Sequence, residues 1–253
     1  MVWFKQRHFL LGIILAFLVW LSMGVTEFRF KKFEEFENMI LFIKEQFFPI
    51  NWAIFPQLVQ ESFVTLGMAF LGTFMALTIS IPVSFMAARN TSYSTIIFVI
   101  IRSLLSGLRS IPEIVFGLIF VVALGLGPFP AVLAIILHNI GVLGKLISEL
   151  IESADQGPQE AMKAVGATKW VANLFSILPQ IWPNLLSHYF YRFEVAIRTS
   201  LILGFIGAGG IGQQLFNHFQ MFQYQSVALD IIMIILLVIV VDFFGSNIRK
   251  KVI

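Results

Sequence analysis

Long apolar runs separated by short polar segments set the pattern of this 253-residue chain. An α-helix needs roughly 20 consecutive apolar residues to cross the hydrocarbon core of a bilayer. Six such runs are legible: residues 9–25, 62–88, 94–125, 130–150, about 185–206 and about 227–244. The third is too long for one straight span, and Pro112 inside it removes a backbone donor, which predicts a kink. Between the first two runs, Phe33, Phe36, Ile40, Ile43 and Phe47 recur at spacings of three and four and so share one helical face. Glu34, Glu35, Glu37, Lys44 and Glu45 fall mostly elsewhere. Residues 27–50 are therefore expected to form an amphipathic helix, either lying on the outer leaflet or packed as a collar on the membrane core.

One segment departs from this pattern. Residues 160–179 read E-A-M-K-A-V-G-A-T, then a short amphipathic run, then I-L-P. Pro158 suits the first turn of a helix, and Glu160 in that turn complements the helix dipole. Ala161 and Ala164 offer a small-residue face that another surface can approach closely. Gly166 ends the helix or turns the chain sharply. Thr168 then caps a second helix over residues 169–177, which Pro179 is expected to stop. A polar helical hairpin between apolar spans is either a plain surface feature or a docking element for a partner.

Composition narrows the class. Hydrophobic residues make up 58% of the chain and charged residues 12%, against about 25% charged in an ordinary soluble domain. The net charge of +3 comes from scattered Lys and Arg beside the apolar runs, where the positive-inside bias accounts for them and nucleic acid need not be invoked. With the N-terminus inside, the cytoplasmic segments hold nine basic residues (Lys5, Arg7, Arg89, Lys145, Lys163, Lys169, Arg249, Lys250 and Lys251), and the outer ones hold four (Arg29, Lys31, Lys32 and Lys44). This count places both termini and the 160–179 segment in the cytosol. The first run follows Lys5 and Arg7 as a signal peptide would, but no A-x-A-like site lies near residues 22–26, so an uncleaved span is expected. Cysteine is absent, which excludes disulfides and thiolate chemistry. His8, His138, His188 and His218 are too dispersed for a recognisable metal site, so no metal is expected.

Several charges fall within or near the bilayer: Arg102, Arg109, Glu113, His138, Arg192, Glu194 and Arg198. An arginine at mid-bilayer costs about 2.5–3.5 kcal/mol on insertion scales, so these side chains should face protein or a water-filled path. Arg109 with Glu113 and Glu194 with Arg198 have i,i+4 spacing and are expected as ion pairs within their own helices. Alternatively these groups line a translocation path, for which Arg109, Glu113, His138, Glu194 and Arg198 are the candidates, with Arg109 and Arg198 leading. His138 and Asn139 read more naturally as polar contacts between helices than as a proton relay. Gly207, Gly209, Gly210 and Gly212 satisfy G-x-G-x-x-G, but dinucleotide binding needs a preceding strand, and here an apolar run precedes. A tight turn at an outer gate is the better expectation.

The chain resembles the methionine-importer-like permease fold of ABC importers, and within that superfamily the phosphonate branch. The carrying stretches are R-S-I-P-E (109–113), G-L-G-P-F (125–129), L-H-N-I-G-V-L-G-K-L (137–146), I-E-S-A-D-Q-G-P (151–158) with the E-A-x-x-A-x-G that follows, and R-F-E-V-A-I-R-T-S-L-I-L-G-F-I-G-A-G-G-I-G-Q-Q-L (192–215). Met162 departs from the family pattern, standing where a second alanine is usual. The resemblance implies an all-α integral membrane fold of about six spans with a cytoplasmic coupling helix, divided into residues 1–60 (anchor and amphipathic helix) and 61–253 (permease core). It implies that Glu160, Ala161, Ala164, Gly166, Ile177 and Pro179 dock on an ABC ATPase. It also implies two copies of that ATPase, a second copy of this chain, an extracytoplasmic binding protein, and a bacterial inner membrane as the site. The cargo would be a phosphonate, with phosphite, hypophosphite or another small solute as alternatives. No cofactor is expected on this chain: it has no Walker A sequence, so ATP and Mg would sit on the partner. An ATP-independent secondary transporter, which would want inverted repeats, and a membrane enzyme are the other classes.

Overall fold

The computed structural model describes residues 6–28 and 36–252 and is helical, with no strand among those residues. Lys5, Arg29, Lys31, Lys32, Phe33, Glu34 and Glu35 from the expectations above lie outside them. The helices are α1 (Gln6–Val25), α2 (Phe36–Gln46), α3 (Phe55–Ala87), α4 (Thr95–Ser110), α5 (Glu113–Leu124), α6 (Pro128–Ser153), α7 (Gly157–Ala164), α8 (Lys169–Gly204), α9 (Gly210–Gln220) and α10 (Tyr224–Val252). Two compact units result, Met1–Phe48 and Pro49–Ile253. In the first, α1 is apolar from Phe9 to Val25 and exposes nearly all of those side chains, as a lipid-facing helix requires, and α2 exposes Phe36, Met39, Ile40, Phe42 and Ile43. The rest concerns the second unit.

Among the described residues, α1 of the first unit and α3, α6 and α10 of the second are long and apolar enough to cross a membrane, and α4 with α5 makes a fifth if that bent pair is one span. The angle between them is 85°, so Pro112 produces a break where a kink was expected. Ile111 and Pro112 are extended (ψ 123 and 141), because the proline ring disfavours helical backbone at the residue before it. The expected fifth run lies in the second half of α8. That helix has the length, at 36 residues, but Arg192, Glu194 and Arg198 dilute its apolarity.

Pro179 does not stop the second polar helix: α8 runs unbroken from Lys169 to Gly204 with Pro179 and Pro183 inside it. A proline in a helix interior costs about 3 kcal/mol or more. Here Ile177, Ile181 and Leu185 pack between α3 and α6, against Leu77, Phe85, Leu143, Ile147 and Ile151, and that packing holds the helix through both prolines.

α6 is the central helix. Its glycines let neighbours approach closely, as in membrane bundles generally. A Cβ at Gly141 would stand 2.6 Å from the backbone nitrogen of Arg109, and one at Gly144 would stand 2.7 Å from Leu105. A second core, around Met68, Ile135, Ile197 and Leu203, fills the half of the unit nearer the α8–α9 turn.

Candidate functional site

The polar segment over residues 157–177 folds as the sequence pattern dictates up to Gly166. α7 begins at Gly157 with proline in its first turn and carries Glu160 there and Lys163 in its last turn. Asp155 Oδ1 accepts the Gly157 amide at 3.0 Å. Gly166 has φ +88, and the amides of Gly166 and Ala167 close the helix on the carbonyls of Lys163 and Met162 at 3.0 Å each. This left-handed position is why a glycine is needed. The other side of α7 is fixed by Gln159, buried and hydrogen-bonded to Asn173 of α8. Glu160, Ala161, Ala164 and Gly166 are exposed, whereas Ile177 is 1% exposed in the core and Pro179 lies on an exposed face of α8. The hairpin therefore offers its small residues outward and anchors itself through Gln159, Asn173 and Ile177. Val165, 82% exposed, completes the outward surface. It escaped the sequence reading because a lone valine in an amphipathic run carries no signal.

The embedded charges are partnered differently from expectation. Neither i,i+4 pair forms. The break at Pro112 moves Glu113 onto α5, away from Arg109, and Glu113 Oε1 meets Arg192 Nη2 of α8 at 3.3 Å. Arg192 also donates from Nε to Asn139 Oδ1 of α6 at 2.6 Å. Side-chain exposures of 10% for Arg192 and 8% for Glu113 make this a buried link among three helices. Glu194 pairs with Arg249 of α10 rather than with Arg198, and Gly245 leaves it room, since a Cβ there would collide with the Glu194 carboxylate. Arg198 reaches Asp242 of α10 at 2.6 and 2.8 Å. For Glu113, Glu194 and Arg198 an inter-helix partner wins because α8 packs its charged face on α5, α6 and α10. Arg192, Asn139, Asp242 and Arg249 are the members the candidate set lacked. Arg192 and Asn139 were visible as polar residues in apolar runs, but their pairing was not.

Of the five path candidates, Glu113 and Glu194 are buried as these partners. His138 is half-buried, its Nδ1 3.0 Å from the Ile111 carbonyl. A carbonyl only accepts, so Nδ1 carries the proton, and the bond ties α6 to a backbone group freed by the helix break. Arg109 is exposed and has no ion pair among the described residues, and Arg198 keeps 52% of its side chain exposed despite Asp242.

At the far end of α8 the glycine motif is a turn. Gly207, Gly209 and Gly210 have φ of +91, +86 and +71. Gly212 is helical and has a different reason: it lies against the Leu201 carbonyl. α9 is held to α3 by Ile211 N donating to Thr65 Oγ1 at 3.1 Å and by Gln214 Nε2 donating to Glu61 Oε1 at 3.2 Å. His218 Nδ1 lies 2.7 Å from Asp230 Oδ2 of α10.

Comparison with known proteins places these features in a family. The family model described as "binding-protein-dependent transport system inner membrane component" matches residues 80–253. The phosphite transport system permease protein PtxC of Stutzerimonas stutzeri is 43% identical over 186 residues, 74% of this chain and 68% of that protein. The phosphate-import permease protein PhnE of Mycolicibacterium smegmatis is 40% identical over 175 residues, 69% of this chain and 33% of that protein. Among solved structures, the MetNI methionine ABC transporter in an inward-facing conformation superposes with a TM-score of 0.69 at 21% identity, covering 81% of this chain and all of that one. The last similarity is one of fold.

Proposed function

We propose, from the premise that this chain belongs to the binding-protein-dependent transport system inner membrane component family, that it forms the path of an ATP-driven importer for a phosphorus oxyanion. Phosphonate and phosphite are the leading cargoes, with hypophosphite as a further alternative. The relatives named for phosphite and phosphate import support that class. So does the chemistry of Arg109 and Arg198, since guanidinium groups bind phosphorus oxyanions through charge-assisted hydrogen bonds. The carrying observation is the exposed α7 face ending in the left-handed Gly166, continuous through α8 with the buried charge network.

A loaded binding protein docks outside, two copies of a partner ATPase close inside on ATP and Mg, and the α7 face carries that closure into α8. A second copy of this chain completes the path, because one copy has too few spans to enclose it. Both termini and α7 lie in the cytosol, and the glycine turn before α9 serves as the outer gate. Residues 1–48 act as anchor and 49–253 as permease core, because the boundary expected at residue 60 falls inside α3. The test is uptake by the reconstituted transporter with its binding protein. Labelled phosphonate should accumulate only with a competent ATPase, and unlabelled phosphite should compete. Accumulation against a gradient with the ATPase Walker lysine replaced would overturn the ATP-driven mechanism. Indifference to every phosphorus oxyanion would overturn the cargo class.

A further inference from the structure

The turn over residues 88–94 and the first turns of α4 enclose a cavity of about 490 Å³, lined by Arg89, Ser92, Tyr93, Thr95, Phe98 and Val99 among others. None of these belongs to the coupling surface or to the Arg192 network. The turn is firmly built. Asn90 Nδ2 donates to the Ile151 carbonyl at 2.8 Å, Thr91 Oγ1 donates to the Phe85 carbonyl at 2.6 Å, and the Arg89 amide donates to Glu152 Oε1 at 3.0 Å.

Its charges are unbalanced. The Glu152 carboxylate is taken by Arg102 at 2.6 Å. The Arg89 guanidinium lies 5.5 Å from the Phe98 ring centroid and has no ion pair among the described residues. Lys169 stands behind the cavity wall, its ammonium 5.2 Å from the Tyr93 ring and bonded to the neutral Ser92 carbonyl at 2.6 Å. Arg89 and Lys169 thus present positive charge with no ion pair among the described residues, since the Glu152 carboxylate reaches only the Arg89 amide and the Arg102 side chain. Directly beyond, Ile96, Val99 and Ile100 are 72%, 52% and 57% exposed and form an apolar strip at helical spacing along α4. Tyr93, 63% exposed, lines the same cavity as Val99 of that strip, and aromatic residues of this kind are enriched at membrane surfaces.

A cationic, hydroxyl-bearing cavity continuous with an exposed apolar strip fits a molecule with an anionic head and a hydrocarbon body. A free inorganic anion would use the cavity and make no use of the strip beside it. We propose that the α3–α4 turn is a headgroup site for an anionic phospholipid, with the phosphate on Arg89 and an acyl chain along Ile96, Val99 and Ile100. The leaflet is the inner one under the orientation proposed above, and binding itself does not depend on that orientation.

The test is native mass spectrometry of the full-length chain in detergent, titrated with phosphatidylglycerol or phosphatidylcholine. Phosphatidylglycerol adducts should dominate, and Arg89→Ala should lower their occupancy about fivefold, the effect expected of one basic side chain at an anionic lipid surface. Arg89→Lys should restore most of it. The charge-matched control Lys44→Ala should leave it unchanged. Equal binding of the two lipids by the wild-type chain, or equal loss in the Arg89 and Lys44 variants, overturns the site. Displacement of the lipid by millimolar inorganic phosphate would make a free anion the occupant. Unchanged lipid binding with weakened ATPase co-purification in Arg89→Ala would assign the cavity to the ATPase contact instead. Either result refutes the lipid.

Discussion

Replacing Arg192 by methionine should be the most damaging single change to the membrane core. It removes the donor to both Glu113 Oε1 and Asn139 Oδ1 while leaving a carboxylate that is 8% exposed. Breaking a buried ion pair by deleting one partner costs about 3–5 kcal/mol, because the surviving charge has nothing to offset its desolvation. In a unit of this size that corresponds to a fall in melting temperature on the order of 10 °C. Glu113→Gln is gentler, at about 1–3 kcal/mol, since an amide oxygen still accepts from the guanidinium. The double variant carries neither charge, so its loss should fall at least about 2 kcal/mol short of the sum of the singles. Thermal unfolding of the four proteins in detergent, followed by tryptophan fluorescence with monodispersity checked on a sizing column, supplies the cycle. Additivity of the singles would refute the pairing. Uptake supplies a second criterion: if the link only holds α5, α6 and α8 together, the folded double variant retains transport. A stable but inactive double variant would place Arg192 on the path.

Other substitutions separate the remaining roles. Gly166→Val forces a β-branched residue to φ +88 at about 1–2 kcal/mol, and should reduce co-purification of the ATPase without impairing membrane insertion; normal co-purification and transport would count against docking. Val165→Asp, at an 82% exposed position, should leave the melting temperature nearly unchanged and weaken ATPase association, read by pull-down from membranes. Arg198→Ala removes a surface pair worth about 0–1 kcal/mol, so stability should hold while the apparent KM for uptake rises several-fold; an unchanged KM would remove Arg198 from the path. Gly204→Ala brings a Cβ to 2.6 Å from the Gln213 backbone nitrogen, and protease sensitivity of the α8–α9 turn should increase; an unaltered digest would mean that crossing can relax.

What the sequence revealed depended on the range of the interaction. Five of the six expected spans, the start of α7 and the glycine turn are local consequences of hydrophobic runs, a first-turn proline and positive φ, and they stood in the chain order; the remaining run, in α8, is too charged to count as a span by apolarity. Ion pairing is a matter of which helices meet. Arg109 and Glu113 looked like neighbours on one helix until Pro112 separated them, and Arg249 and Asp242 lie more than forty residues from their partners on α8. Pro179 misled for a related reason. Its breaking tendency is local, while the packing of Ile177 and Ile181 that overrides it comes from α3 and α6.

The charged half of α8 has a consequence for how the chain is made. Too polar to enter lipid readily by itself, that half finds Glu113 and Asn139 on helices synthesised before it, but Asp242 and Arg249 arrive only with α10. A ribosome stalled after α9 would leave Glu194 and Arg198 without their counterions, so the charged half of α8 is neutralised only when the last helix is in place. Chains truncated before residue 242 should be held at the insertion machinery or degraded, even though every element of the coupling hairpin has already emerged.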